Sequence, residues 1–139
     1  MEITTKGRYA VRICADIARN GEGFVSLSDI AQRQQISLKY LEKIISMLSK
    51  ANLVESMRGA YGGYKLSKSI DEITVKQILD ATGDSIKVST CIAGEGCPKA
   101  DKCDTIGVWN TLNNLINTYL ESVTLKDLVE QTCDRKLLK

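Results

Sequence analysis

Cys91, Cys97 and Cys103 recur at equal intervals in CIAGEGCPKADKC, a stretch built almost entirely of small and charged residues. A purely structural cysteine packs among aliphatic neighbours, and this stretch offers almost none. Thiolates are soft ligands suited to iron–sulfur clusters, zinc or copper(I). Glycines and Pro98 let the backbone fold back so that three sulfurs can converge on one centre, leaving a fourth ligand position to fill. The chain contains no histidine, which removes both the commonest nitrogen ligand and the usual catalytic base. With no phosphate-binding or nucleophile motif either, an enzyme is disfavoured. Five cysteines is an odd number, and in a reducing compartment clustered thiols serve as metal ligands or redox sensors rather than structural disulfides. Cys14, between Ile13 and Ala15 on an apolar helical stripe, reads as packing, whereas Cys133, beside Asp134 and Arg135, reads as accessible.

The elements that must position this loop fit ordinary globular composition: 139 residues, 43% hydrophobic and 26% charged, enough for one compact domain or two small ones sharing a core. No apolar run approaches the ~20 residues that cross a bilayer, and MEITTKGRYAV carries no signal-peptide pattern. A cytoplasmic protein with no membrane partner is expected. Charge is uneven: residues 1–68 hold 11 Lys/Arg against 6 Asp/Glu, and residues 69–139 hold 8 against 11. The basic half is the expected nucleic-acid face.

Tyr9, Ile13, Ile17 and Ala18 mark one stripe of a first helix ending near Asn20, Gly21 and Gly23. Ser26 and Asp29 give a capping signal for a short second helix through Arg33. Ser37 is the N-cap of a third, running through Tyr40, Leu41, Ile44, Ile45 and Leu48. Two short helices joined by a tight turn have the layout of a helix-turn-helix, whose second helix enters the major groove N-terminus first. Leu53 and Val54 then begin a strand, Arg58 and Gly59 open a turn, and Gly62, Gly63, Tyr64 and Leu66 return a second strand. RGAYGGY is thus a wing tip, glycine-rich enough to approach a phosphate, with Arg58 attracted to a narrow minor groove. Segments 74–83 and 124–132 predict two short flanking helices.

From Ser37, Tyr40, Leu41 and Glu42 through Leu48, Leu53, Val54, Ser56, Arg58, Gly59, Gly62, Gly63, Tyr64 and Leu66, the chain closely resembles the Rrf2 family of winged-helix regulators, which includes IscR, NsrR and CymR. The opening TTKGRYAVR, the three cysteines, Trp109 six residues after the last of them, and TLKDLV also fall where an IscR-like member has them. The resemblance spans nearly the whole chain. It implies a transcription factor that binds double-stranded promoter DNA as a homodimer, with an iron–sulfur cluster, two-iron in preference to four-iron, adjusting its choice of sites. Genes of iron–sulfur cluster biogenesis are the implied targets. The alternative is a cysteine-metabolism or thiol- or zinc-responsive winged-helix repressor without a cluster, as CymR-like members resemble.

The expected fold is mainly α with a small β-hairpin: a winged helix-turn-helix over residues 1–83, a cysteine-rich loop over 84–103, and a dimerisation helix with a C-terminal helix over 104–139. The long helix, residues 104–123, repeats Ile106, Trp109, Leu112, Ile116, Tyr119, Leu120 and Val123 at three- and four-residue steps. At roughly 30 Å it exceeds what a small winged domain covers, so it is expected to pack against its symmetry mate. Base readout is assigned to Ser37, Lys39, Tyr40, Glu42 and Lys43. The hydroxyls suit phosphates, the lysines share one helical face, and Glu42 either accepts from cytosine N4 or pairs with a neighbouring lysine. The wing adds Arg58, Gly59 and Tyr61, and the first helix adds Lys6, Arg8 and Arg12 as backbone contacts. IscR-like members carry a histidine three residues after the last cysteine, where this chain has Ile106. NsrR-like members use a carboxylate from the partner's first helix, where this chain has Arg8. Asp104 is the leading candidate fourth ligand, ahead of Asp101, Glu95, Glu2, Cys14 and Cys133. An oxygen or solvent ligand would make the centre labile, which suits a sensor better than an electron carrier.

Overall fold

The computed structural model describes residues 2–21, 23–60, 62–84, 86–92 and 97–131. Helix α1 (Thr5–Arg19) starts where the Thr4 hydroxyl accepts the Gly7 N–H, and it buries Ala10, Ile13, Cys14 and Ile17. Burial pushes the Cys14 thiol up to about 12, the behaviour of a packing residue. Ser26 caps α2 (Leu27–Gln34), which ends at Gln35 in the left-handed region, φ 54°. Two residues later Ser37 caps α3 (Leu38–Lys50), whose Leu41, Ile44, Ile45 and Leu48 enter the core. Each serine cap satisfies an amide that the helix leaves unpaired and contributes about 1 kcal/mol. The expected helix-turn-helix is therefore present, with Ile36 buried under its turn.

Strands β1 (Val54–Met57) and β2 (Gly63–Leu66) form an antiparallel pair in the register Val54↔Leu66 to Met57↔Gly63. Val25 adds a bridge to Tyr64, with both N–H···O distances 2.8 Å. Gly62 and Gly63 are required here. A Cβ on Gly62 would lie 2.1 Å from the Met57 carbonyl oxygen, and one on Gly63 would lie 2.4 Å from that of Val25. Helix α4 (Val75–Ala81) opens with a capping box between Thr74 and Gln77.

Helix α5 (Ile106–Ser122) is two residues shorter at its start and one shorter at its end than the 104–123 expected. Thr105 offers no side-chain cap and Val123 is already extended. None of its residues is buried. Helix α6 (Leu125–Glu130) turns back so that Leu125 joins the core of Ile13, Ile45 and Ile78. Val75 N–H donates to Val123 O at 2.9 Å, and Leu125 N–H to Ile73 O at 3.0 Å. The C-terminal helix thus packs with the N-terminal body, although the sequence groups it with the long helix. The fold is mainly helical with one two-stranded sheet, the winged-helix arrangement expected.

Candidate nucleic-acid interface and cysteine loop

Helix α3 owes its position to an apolar face on the core, so its opposite face is left to solvent. Ser37, Lys39, Glu42 and Lys43 are all exposed there. The Ser37 oxygen accepts the Tyr40 N–H at 3.3 Å, and its hydroxyl proton remains able to donate. Tyr40 is half-buried, its ring meeting Tyr9 of α1 edge-on at 5.9 Å. It therefore braces α3 against α1 as well as presenting a hydroxyl. Among the described residues Glu42 forms no ion pair within 4.0 Å. Leu38, 46% exposed in the first turn of α3, was not singled out by sequence reasoning. An exposed apolar side chain there is suited to a thymine methyl.

At the wing, Arg58 and Gly59 are exposed, Gly59 has φ +117°, and Gly62 N–H donates to Gly59 O at 3.0 Å. Tyr61 lies outside the described residues. On α1, Arg8 is exposed and donates to Thr5 Oγ1 at 3.1 Å, while Lys6 is half-buried. Arg12 is committed elsewhere. Its guanidinium donates to the side-chain and backbone oxygens of Gln34 at 3.2 and 2.9 Å and lies 5.1 Å from the Tyr9 ring centre, tying α1 to α2.

A second tie between these helices is absent from the sequence reading. Asp16 is 4% exposed and accepts from Arg33 at 2.6–3.2 Å and from Gln34 Nε2 at 2.7 Å. Burial alone would raise its carboxyl, but hydrogen bonds from Arg33 and Gln34, helped by the Arg33 charge, outweigh that and hold it below the usual carboxylate range. The hint in the sequence was its position: Asp16 falls between Ile13 and Ile17, inside the arc that α1 buries.

Cys91, Cys97 and Cys103 lie between α4 and α5, each partly exposed and none in a disulfide. The expected convergence of their sulfurs is not seen. Among the described residues no group of three or more His, Cys, Asp or Glu side chains could hold a metal ion. The hydrogen bonds here are local: Cys91 N–H to Ser89 Oγ, Ala100 N–H to Cys97 O, Cys103 N–H to Ala100 O. Among the described residues none joins one cysteine side chain to another. The donor set itself, three accessible thiols without a histidine, fits a thiolate-held centre. Cys103 has a hydroxyl beside its sulfur. The Thr105 hydroxyl 3.3 Å from its sulfur, then the backbone N–H groups of Thr105 and Ile106 at the start of α5, lower its thiol below the ordinary value. Asp104 and Asp101 are exposed beside it; Glu95 and Cys133 lie outside the described residues.

Two capped helices, an exposed α3 face carrying lysines and a glycine-tipped wing are the parts of a winged helix-turn-helix regulator. The profile of the Rrf2 family, described as iron-dependent transcriptional regulator, matches residues 3–131, and the chain belongs to that family. It is 45% identical over 130 residues to the HTH-type transcriptional regulator IscR of Pectobacterium carotovorum, covering 93% of this chain and 79% of that one. Among solved structures, CymR, the global cysteine regulator of B. subtilis, aligns with TM-score 0.81 and 37% identity, covering 95% of this chain and 98% of that one. T. potens IscR aligns with TM-score 0.75 and 37% identity, over 94% and 88%. The protein is a transcriptional regulator and not an enzyme. No helix among the described residues is long and apolar enough to cross a membrane.

Proposed function

We propose that the protein is a homodimeric regulator whose binding to promoter DNA is set by an iron–sulfur cluster on Cys91, Cys97 and Cys103, with cluster biogenesis genes as its targets. The observation that carries this is the evenly spaced trio of accessible thiols between the winged body and α5, in a chain of an iron-dependent regulator family. A two-iron cluster is favoured over a four-iron one, with Asp104 as candidate fourth ligand. Bound, such a cluster supplies a centre whose stability and potential respond to ligand type, hydrogen bonding and solvent exposure. The chain supplies everything else. Thr105 and the start of α5 favour thiolate at Cys103. Lys39, Lys43, Lys6 and Arg8 attract phosphates, and Ser37 and Tyr40 donate to them. Glu42 selects against unsuitable bases, and Arg58, Gly59 and Tyr61 form the wing contact.

Helix α5 supports the homodimer. Val108, Trp109, Leu112 and Leu115 are exposed along it, Leu115 by 64%. A soluble chain seldom leaves such a row uncovered, and a second copy would set two recognition helices about one DNA turn apart. The protein works in the cytoplasm in this reading. The likeness to CymR supports a second reading, a thiol- or zinc-responsive repressor of cysteine metabolism that holds no cluster.

The test uses a duplex selected by the wild-type protein from a random-sequence pool. Its Kd is measured for protein loaded anaerobically with ferrous iron and sulfide, and again after stripping with a chelator. The sensing reading expects a difference of about tenfold, within the usual range of coupling between sites. Equal affinities would reject it.

A further inference from the structure

Before the first cysteine is reached, the chain leaves α4 through a short segment fastened to two other elements. At its start the Asp84 carboxylate accepts from the Thr4 N–H at 2.9 Å and from the Thr4 hydroxyl at 2.8 Å. The same hydroxyl accepts the Gly7 N–H at 3.1 Å. Asp84 and Thr4 therefore cap α1 together. Helix α1 has no acidic residue in its own first turn, so a residue 80 positions away supplies the negative charge that this end of a helix favours.

Gly7 belongs to the same fit. A Cβ there would lie 2.1 Å from Asp84 Oδ2 and 3.1 Å from Leu79 Cδ2. Glycine is a poorer helix former than alanine, and here it clears the space the carboxylate fills. Farther along, Ile86 is buried and its carbonyl accepts from Asn117 Nδ2 at 3.3 Å, while Val88 N–H donates to Asn113 Oδ1 at 3.3 Å. The segment is thus tied to α1 once and to α5 twice, the last tie three residues before Cys91.

We propose that Asp84 is a positioning residue through which the state of the cysteine loop reaches the DNA-binding surface. It fixes the first turn of α1, which carries Lys6 and Arg8. One turn on, Tyr9 packs against Tyr40 of α3, so a displacement at Asp84 is delivered to the backbone-contacting cations and to the recognition helix. This inference rests on the sensing reading above.

Its test is Asp84→Asn in the full chain, which keeps the shape and one acceptor oxygen but loses the charge and the paired contact. Gly7→Ala serves as a second variant, pushing the carboxylate out from the helix side. For each, the ratio of Kd values between stripped and loaded protein is measured on the selected duplex, with amide hydrogen exchange at positions 7 and 8 in both forms without DNA. We expect the wild-type ratio of about tenfold to fall to within about twofold of unity in both variants. The exchange difference between loaded and stripped forms should vanish with it. A merely structural role would weaken both forms equally and leave the ratio intact, and that result overturns the proposal. A wild-type ratio of one rejects the sensing reading and this inference together; a wild-type ratio retained in both variants rejects this inference alone.

Discussion

The winged body and the α4–α5 region are built on opposite terms. In the body, α1, α2, α3, α4 and α6 converge on fully buried Ile13, Ile30, Leu41, Ile44, Leu48, Ile78 and Leu125. Asp16, Arg33, Gln34 and Arg12 lock α1 to the helix-turn-helix. In the second region the cysteines are held by local hydrogen bonds, and no residue of α5 is buried. The body buries its apolar residues within one chain. The other region leaves an apolar row exposed, and in the function proposed above a second copy and a cluster supply what it lacks.

Replacing Cys91, Cys97 and Cys103 together by Ala should break that contrast most sharply. Loss of the bound centre is expected to be complete, while the thermal midpoint of the iron-free protein stays within a few degrees of wild type. Unfolding of the triple variant, followed by circular dichroism, would mean that the loop supports the body after all.

Leu115→Asp comes next. A carboxylate in the middle of the exposed α5 row should convert dimer to monomer in sedimentation velocity at micromolar concentration, with the helical signal unchanged. A dimer that persists would place the interface elsewhere.

Asp16→Ala probes the body. Breaking a buried ion pair costs about 3–5 kcal/mol when the partner stays buried. Arg33 has a side chain 37% exposed and can turn to water, so about 2 kcal/mol in urea unfolding is expected. The effect carries a pH signature. Because the folded carboxyl is depressed, its contribution is fully present above the unfolded value of about 3.9 and is lost as pH falls through the folded value. The gap between wild type and variant should therefore close only below about pH 4. A gap that closed near neutrality would remove this carboxylate from the account.

The smallest effect is expected from Arg58→Ala. Binding to the selected duplex should weaken by about 1 kcal/mol, and preference for a narrow minor groove should relax. Unchanged affinity at moderate salt would take the wing out of the interface.

Much of this was legible in the chain because the signals are local. Ser26 and Ser37 announce two helix starts within four residues of their partners, and Gly62–Gly63 marks the wing where two carbonyls approach. The apolar row of α5 was also readable, with the span 104–123 overextended: Thr105 offers no side-chain cap, and Val123 continues the apolar spacing where the backbone is already extended. What escaped is pairing across distance. Asp16 meets Arg33 17 positions on, and Thr4 meets Asp84 80 positions on. Neither partner carries a motif, and only packing brings them together. Asp16 inside an apolar arc and Gly7 inside a first helical turn were the available hints. For the cysteine trio the spacing carries a chemical expectation but no geometry, because among the described residues the hydrogen bonds are local and none joins one cysteine side chain to another.

The central claim is that those three thiols hold an iron–sulfur cluster. Its most direct test is the visible absorption spectrum of protein purified without oxygen, with iron, acid-labile sulfide and zinc counted on the same sample. The account predicts a coloured protein with iron and sulfide in matching amounts, the ratio per chain separating two-iron from four-iron forms. A colourless protein with stoichiometric zinc, or one holding no metal even after reconstitution, would contradict it.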